Sequence, residues 1–225
     1  MADNRGNLLP VYMVADESGS MAPHIGELNA GLASLHEALL AEPMAAAKVR
    51  FSILGFSDDV AVRMELADLR RENELPTLAT RGRTNYGAAF TDLISRIPRD
   101  VQQLKSENYT VHRPAVFFFS DGLPTDGTRW REPHGRLTDR STTPAAPNII
   151  ACGVGSADAS TILDVATQQE FAFVSIRGTD VGSAIAKFCT ALTKSIVASG
   201  RALAGGHPEL VVEKPDGFRL AVDVM

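Results

Sequence analysis

The sequence predicts an α/β domain in which a doubly wound, mostly parallel sheet carries helices on both faces and one antiparallel strand at its edge. Apolar segments of strand length alternate along the chain with segments of helical periodicity. Residues 11–15 (VYMVA) and most of residues 113–122 (RPAVFFFSDG) are apolar, which is typical of parallel strands covered on both faces. Residues 48–56 and 60–66 are strand segments separated by a short polar turn, which predicts an antiparallel hairpin at the sheet edge.

Helical periodicity follows the first strand and recurs three more times. The first helix is predicted from Ser20 to near Pro43, because its apolar residues are spaced by four and three to form one stripe: Met21, Ile25, Leu28, Leu32, Leu35 and Leu39. A second helix follows RGRTNYGAAF and is predicted to kink or end at Pro98. Later strands at 148–155 and 170–176 flank a helix at 156–167. The last long helix begins near Thr179 or Asp180, either of which suits an N-cap.

The chain divides into three parts by pattern. Residues 1–8 are predicted to be an N-terminal extension, residues 9–199 the α/β domain, and residues 200–225 a C-terminal tail. Within the tail, ELVVEKPDGFRLAVDV contains two alternating segments around the turn sequence KPDG. We therefore expect the tail to form a β-hairpin.

Composition excludes several classes of protein. The chain has 225 residues, 44% apolar and 22% charged, with a net charge of −5; a nucleic-acid-binding protein would show a basic surface. No run approaches the roughly 20 apolar residues that span a bilayer, and the first ten residues lack the apolar region of a signal peptide. Cys152 and Cys189 lie in apolar segments and are predicted to be free buried thiols. We expect a cytoplasmic protein without nucleic-acid or membrane partners.

Oxygen-bearing side chains follow the ends of two predicted strands and precede one helix. Asp16, Ser18 and Ser20 come directly after the first strand, Asp121 ends the FFF strand, and Thr84 stands just before the second helix. Ligands of open parallel sheets bind outside the carboxyl ends of the strands, so we expect these residues to meet there. Carboxylate and hydroxyl oxygens suit a hard cation such as Mg²⁺, and Mn²⁺ or Ca²⁺ are alternatives.

Three motifs carry a resemblance to a known family. DESGS, RTNYG and SDGLPTD resemble, in order, the three loops of the metal-ion-dependent adhesion site of von Willebrand factor A (VWA) domains. The resemblance covers about residues 9–197. It implies that Ser18, Ser20 and Thr84 donate hydroxyl oxygens to the metal, and that Asp16 and Asp121 ligate it directly or hold its water molecules.

The resemblance also implies a function. A Glu or Asp from a protein partner would complete the metal coordination, so the site would be a metal-bridged docking device and not a catalyst. ADESGSM and SDGLPTD are similar to bacterial VWA proteins of tellurium-resistance and stress operons. Those proteins are encoded with protein-kinase-like and phosphatase-like partners, which are the partner classes implied here.

Other interpretations of the same residues stay open at this point. Asp16, Ser18 and Thr84 are also suitable helix N-caps. Glu17 is expected to be a solvated neighbour, and Asp126 a turn residue. The arginine-rich segment 128–141, with Trp130, is either a solvated loop or a recognition surface beside the metal.

An enzyme is the alternative function. A cation beside carboxylates could support metal-dependent phosphoryl transfer or hydrolysis at the same edge. The sequence shows no nucleophile elbow and no phosphate-binding loop with a lysine. We therefore expect an interaction module and not an enzyme.

Overall fold

An eight-stranded sheet forms the centre of the computed structural model, which describes residues 5–224. The strands are β1 (Asn7–Asp16), β2 (Val49–Phe56), β3 (Val60–Ala67), β4 (Thr110–Val111), β5 (Ala115–Ser120), β6 (Asn148–Gly153), β7 (Ala172–Ser175) and β8 (Phe218–Leu220). The helices are α1 (Ile25–Leu40), α2 (Pro43–Ala46), α3 (Tyr86–Ser106), α4 (Arg131–Thr138), α5 (Ala159–Val165) and α6 (Val181–Ala204). The predicted extension 1–8 falls partly outside the described residues, and β1 begins within it at Asn7.

The strand order is β3-β2-β1-β5-β6-β7-β8, with the short β4 pairing beside the start of β1. Strands β2, β1, β5, β6 and β7 run parallel, while β3 pairs antiparallel with β2. The α/β fold class and the antiparallel hairpin at 49–67 are therefore confirmed. A second antiparallel strand, β8, closes the opposite edge of the sheet beside β7.

Each face of the sheet has its own core. On β1, Val11 and Met13 point into the cluster under α1 and α6, whereas Tyr12 and Val14 point into the cluster under α3, α4 and α5. Because side chains alternate along a strand, a strand covered on both faces must be apolar at every position. This requirement explains the uninterrupted apolar run at the start of the chain.

Of the two alternatives predicted for Pro98, a kink or an end of the helix, the end is wrong, because α3 continues through this residue to Ser106. Helix α6 begins as predicted, after Asp180, whose carboxylate accepts a hydrogen bond from the Ser183 amide at 2.8 Å. Among the described residues, α6 is the one helix with the length and hydropathy of a membrane span. One of its faces packs against α1 and the sheet, with Ile185 and Phe188 in the core.

The tail forms a strand pair with the domain and not a hairpin within itself. Its second segment is β8, which pairs antiparallel with β7. Its first segment, ELVVE, is not a strand, because α6 satisfies its backbone: Ser199 Oγ accepts from the Val211 amide, and Ser195 Oγ accepts from the Glu213 amide, each at 2.9 Å. Helix α6 also continues to Ala204, five residues beyond the predicted domain boundary.

Both cysteines are free and buried, as predicted. Burial raises the pKa of the Cys189 thiol to about 12, so both side chains act as small apolar residues of the core.

Candidate metal site

Two carboxylates lie at the same edge of the sheet because their strands are neighbours. Asp16 is the last residue of β1, and Asp121 directly follows β5. The two strands run parallel in register, with Ala15 opposite Phe119. This is the edge at which the sequence predicted the site.

A chain of hydrogen bonds joins four of the five predicted residues. The Ser18 amide donates to Asp16 Oδ1 at 2.8 Å, and the hydroxyl oxygens of Ser18 and Ser20 are 3.0 Å apart. Ser20 Oγ then donates to Asp121 Oδ1 at 2.7 Å. Asp16 and Ser18 are buried, whereas Ser20 is exposed, so the group opens to solvent at one end.

Hydrogen bonds to the backbone join the loop of Thr84 to the loops that carry the other four residues. The Gly19 amide donates to the Gly82 carbonyl at 3.0 Å, which ties the first loop to the segment that leads to Thr84. The Thr84 carbonyl in turn accepts from the amide and the hydroxyl of Thr125, at 2.8 and 3.0 Å. The three loops that carry the predicted residues therefore contact one another in series.

The helix-capping interpretation is wrong for Thr84 and Ser18. Asn85 caps α3, because its side chain accepts from the Ala88 amide at 3.1 Å. Ser18 precedes a short 3₁₀ turn and makes no capping hydrogen bond, and α1 begins only after His24. The hydroxyl groups of these loops are therefore not explained by helix termini.

Asp16 is a desolvated carboxylate. Its side chain is inaccessible to solvent, and burial raises its pKa, with Asp121 adding a smaller contribution in the same direction. Hydrogen bonds from Ser120 Oγ, at 2.6 Å, and from Ser18 oppose this increase in pKa. No lysine or arginine forms an ion pair with Asp16 or Asp121 in the described part of the chain. Burying a carboxylate without a counter-charge is costly, and a divalent cation would supply that charge.

The donor set fits a hard cation. Within residues 5–224 there is no cluster of three or more His, Cys, Asp or Glu side chains that could hold a metal. The candidate site differs from such a cluster, since it contributes two carboxylates and otherwise hydroxyl groups. Mg²⁺ accepts such oxygen donors and retains several water molecules. The absence of nitrogen and sulfur donors makes the site unlike a structural zinc centre.

Glu17 is not the solvated neighbour that the sequence predicted. Its carboxylate is fully buried and accepts hydrogen bonds from Arg63 Nε and Nη2, at 2.8 and 2.9 Å, and from Arg81 Nε at 2.8 Å. The Ala79 amide donates to the same carboxylate at 3.1 Å. Gly55 makes room for it, since a Cβ at Gly55 would lie 2.1 Å from Glu17 Cδ. Sequence reasoning therefore missed Glu17 as the residue that anchors the first loop.

Two other residues near the edge have structural roles. Asp126 Oδ2 accepts from the Gly87 amide at 3.0 Å, in the first turn of α3, so this residue does more than form a turn. Trp130 is 2% exposed and packs against Tyr86 and Phe90, with ring centroids 6.0 and 5.9 Å away. A recognition surface built on Trp130 is therefore ruled out, and residues 131–138 form helix α4.

Comparison with known proteins rests on structure, since no family model and no curated protein matches the sequence. The described fold is similar to a von Willebrand factor type A structure from Catenulispora acidiphila, with a TM-score of 0.51, 13% identity, and coverage of 85% of this chain and 43% of that chain. The chain has a VWA fold. Identity at this level shows the fold and nothing finer.

Other solved structures are similar to the fold of this chain over a similar range. Proximal thread matrix protein 1 of the mussel byssus gives a TM-score of 0.58 at 15% identity, covering 87% of this chain and 49% of that one. The pilus adhesin SpaC of Lactobacillus rhamnosus GG, in its open conformation, gives a TM-score of 0.65 at 12% identity, covering 87% of this chain and 30% of that chain. This chain thus spans less than half the length of these proteins. A further structure of the mussel protein has zinc in its metal-ion-dependent adhesion site (MIDAS) motif. It gives a TM-score of 0.53 at 16% identity, covering 86% of this chain and 47% of that one.

Proposed function

We propose that this chain is a divalent-cation-dependent protein-interaction module. In this proposal Asp16, Ser18, Ser20, Thr84 and Asp121 hold the cation, and a Glu or Asp of a protein partner completes its coordination. The observation that carries the proposal is the hydrogen-bonded chain from buried Asp16 through both serines to Asp121.

The charge of the donor set favours docking. Three of the five side chains are neutral hydroxyls, so a bound divalent cation would keep part of its charge available for an anionic ligand. Ser20 is exposed at the open end of the group, where a carboxylate from outside the chain has access. Mg²⁺ is the proposed cation, with Mn²⁺ or Ca²⁺ as alternatives; the zinc-occupied motif of the mussel protein supports a divalent metal in general.

We propose further that the chain is not an enzyme. Metal-dependent phosphoryl transfer or hydrolysis would need a general base or nucleophile in addition to the ligands. Among the described residues, no histidine, lysine or cysteine hydrogen-bonds to the five site residues. Phosphatase activity toward a simple phosphate ester that disappears in Asp121→Ala protein would favour the enzyme instead.

The cellular setting is proposed from the motifs. ADESGSM and SDGLPTD support a bacterial cytoplasmic protein of a stress or tellurium-resistance system, with kinase-like or phosphatase-like proteins as partners.

Capture from a cell extract in the presence and absence of free metal tests the proposal. Immobilised wild-type protein is incubated with extract in Mg²⁺ or in EDTA, and retained proteins are identified by mass spectrometry. We expect specific proteins to be retained in Mg²⁺, released by EDTA, and absent from Asp121→Ala protein. Glu107→Ala, at the far end of α3, is the matched carboxylate control and should behave like wild type. Retention of the same proteins in EDTA would contradict the proposal.

A further inference from the structure

We propose that a groove beside the metal site forms a second contact with the same partner segment, and that this segment carries an apolar side chain flanked by acidic residues. The inference rests on the proposed function and adds the chemistry of the partner. The groove, called here the apolar groove, has a volume of about 900 Å³ and lies between the segments that follow β5, β6 and β7. Its argued lining residues are Leu123, Ser156, Ile176, Arg177, Arg219 and Val224.

The apolar groove concentrates exposed apolar side chains. Leu123 is 56% exposed, Ile176 39% and Val224 43%. Only four other large apolar side chains of residues 5–224 are comparably exposed, and one of them, Val222, is close to Val224 in the chain. Single exposed apolar residues are ordinary, but several around one groove are typical of an interaction site.

Positive charge is in excess in the lining of the groove, with two arginines against one aspartate. Arg177 and Arg219 line it and are exposed. Neither forms an ion pair with another residue of the described part of the chain, although the full chain has a net charge of −5. The one carboxylate in the lining, Asp158, is occupied as the N-cap of α5, where it accepts from the Thr161 amide at 2.9 Å. Charge complementarity therefore points to an acidic partner.

The groove is continuous with the metal site. The amide and hydroxyl of Ser156 donate to the Asp121 carbonyl at 3.1 and 2.9 Å, and Leu123 is two residues beyond Asp121 in the chain. An extended peptide advances by about 3.3 Å per residue. A segment whose carboxylate reaches the metal would thus place residues close to that carboxylate over the groove.

A protein segment suits these features better than other partners. Two arginines separated by aliphatic side chains are too few for a nucleic-acid backbone, which is bound by many basic contacts. The apolar part selects a side chain such as Leu, Ile, Val or Phe. The arginines select Asp or Glu near it, in addition to the carboxylate at the metal.

A peptide selection tests the inference. Random dodecapeptides with one fixed central glutamate, displayed on phage, are selected on wild-type protein in Mg²⁺, and the enriched peptides are synthesised for fluorescence anisotropy. We expect an aliphatic or aromatic residue close to the glutamate and at least one further acidic residue. Leu123→Ser and Arg219→Glu should each raise the Kd about tenfold. Both side chains are exposed, and circular dichroism verifies that the variants fold.

Matched controls lie at the opposite edge of the sheet. Met44→Ser removes an apolar side chain that is 69% exposed, before β2, and Arg71→Glu reverses an exposed arginine after β3. Both controls should leave the Kd unchanged.

The outcomes separate the inference from the proposed function. Binding that needs Mg²⁺ but ignores Leu123→Ser and Arg219→Glu, or a selection that enriches no such motif, would overturn the inference about the groove. Binding that survives EDTA but weakens in these two variants would overturn the metal-dependent function. It would still support the groove as a peptide-binding surface. Self-association in sedimentation velocity that Leu123→Ser abolishes would assign the groove to a second copy of the chain and overturn the proposed partner.

Discussion

The buried carboxylate of Glu17 and the guanidinium of Arg81 form an ion pair, with Arg81 Nε 2.8 Å from Glu17 Oε2. Arg63 pairs with the other oxygen at the same distance. The Arg81 amide also donates to the Glu17 carbonyl at 2.6 Å. Glu17 thus fixes the loop of Ser18 and Ser20 to the segment that leads to Thr84.

Removing the charge of Glu17 should destabilise the fold. Glu17→Gln leaves two guanidinium groups without their buried partner, and we expect the free energy of unfolding to fall by about 2–4 kcal/mol. Urea unfolding followed by circular dichroism measures this. Glu65→Gln is the control, since Glu65 is 65% exposed beside Arg96 and Arg99. This variant should lower the free energy of unfolding by less than about 1 kcal/mol. Equal losses in the two variants would contradict the assigned role of Glu17.

Gly55 should be intolerant of a side chain. A Cβ at this position would lie 2.1 Å from Glu17 Cδ, so Gly55→Ala must displace the carboxylate or bend β2. We expect a loss of about 1–3 kcal/mol, as for other overpacked sites. Gly26→Ala, in α1 with no atom within 4 Å of the new Cβ, should instead stabilise by about 0.5–1 kcal/mol. A neutral Gly55→Ala would show that Glu17 can move freely.

The sequence predicted the parts of the site that depend on strand ends. Asp16 and Asp121 could be placed together because parallel strands bring their carboxyl ends to one edge, whatever the details of packing. The burial of Glu17 could not be predicted in this way, because its partners are 46 and 64 residues away. A signal did exist: Gly55 interrupts an apolar strand, and such glycines mark a close approach of another group.

The tail shows a second limit of sequence patterns. Alternation predicted two strands, and the pattern correctly placed Phe218–Leu220 in one of them. It could not show that the hydroxyls of Ser195 and Ser199 replace a neighbouring strand for the first segment. The alternation of apolar residues indicates which face of a segment is buried. The hydrogen-bond partners of its backbone depend on which element the fold places next to it.

Thr84 should contribute to metal affinity through its hydroxyl group alone. Thr84→Val keeps the shape of a side chain that is 6% exposed but removes its oxygen. We expect the Mg²⁺ affinity to fall at least about tenfold, since loss of even an outer-shell group commonly costs about 10–100-fold. Calorimetric titration gives the affinity, and Thr91→Val, an exposed position on α3, is the control. Unchanged affinity in Thr84→Val would remove Thr84 from the ligand set.

The tail should act as a cover for the sheet edge. Deleting residues 206–225 removes β8 and the buried Phe218, together with Leu210 and Val212, which pack on the core. We expect a loss of at least about 3 kcal/mol, or a fall in Tm of about 6–12 °C for a domain of this size. Lys214→Ala, at an exposed position just before the turn at Asp216 and Gly217, should leave Tm unchanged. An unchanged Tm after the deletion would instead indicate a strand that is free to pair with a partner.

Isothermal titration with Mg²⁺ tests the central claim most directly. Wild-type protein and Glu107→Ala should bind one ion per chain, whereas Asp16→Ala and Asp121→Ala should bind none, with circular dichroism verifying that each variant is folded. The Tm of wild-type protein and of Glu107→Ala should also rise as Mg²⁺ increases, because the ligand stabilises only the folded state. Equal Mg²⁺ binding by wild type and the two aspartate variants, or no binding by any of the proteins, would contradict the account.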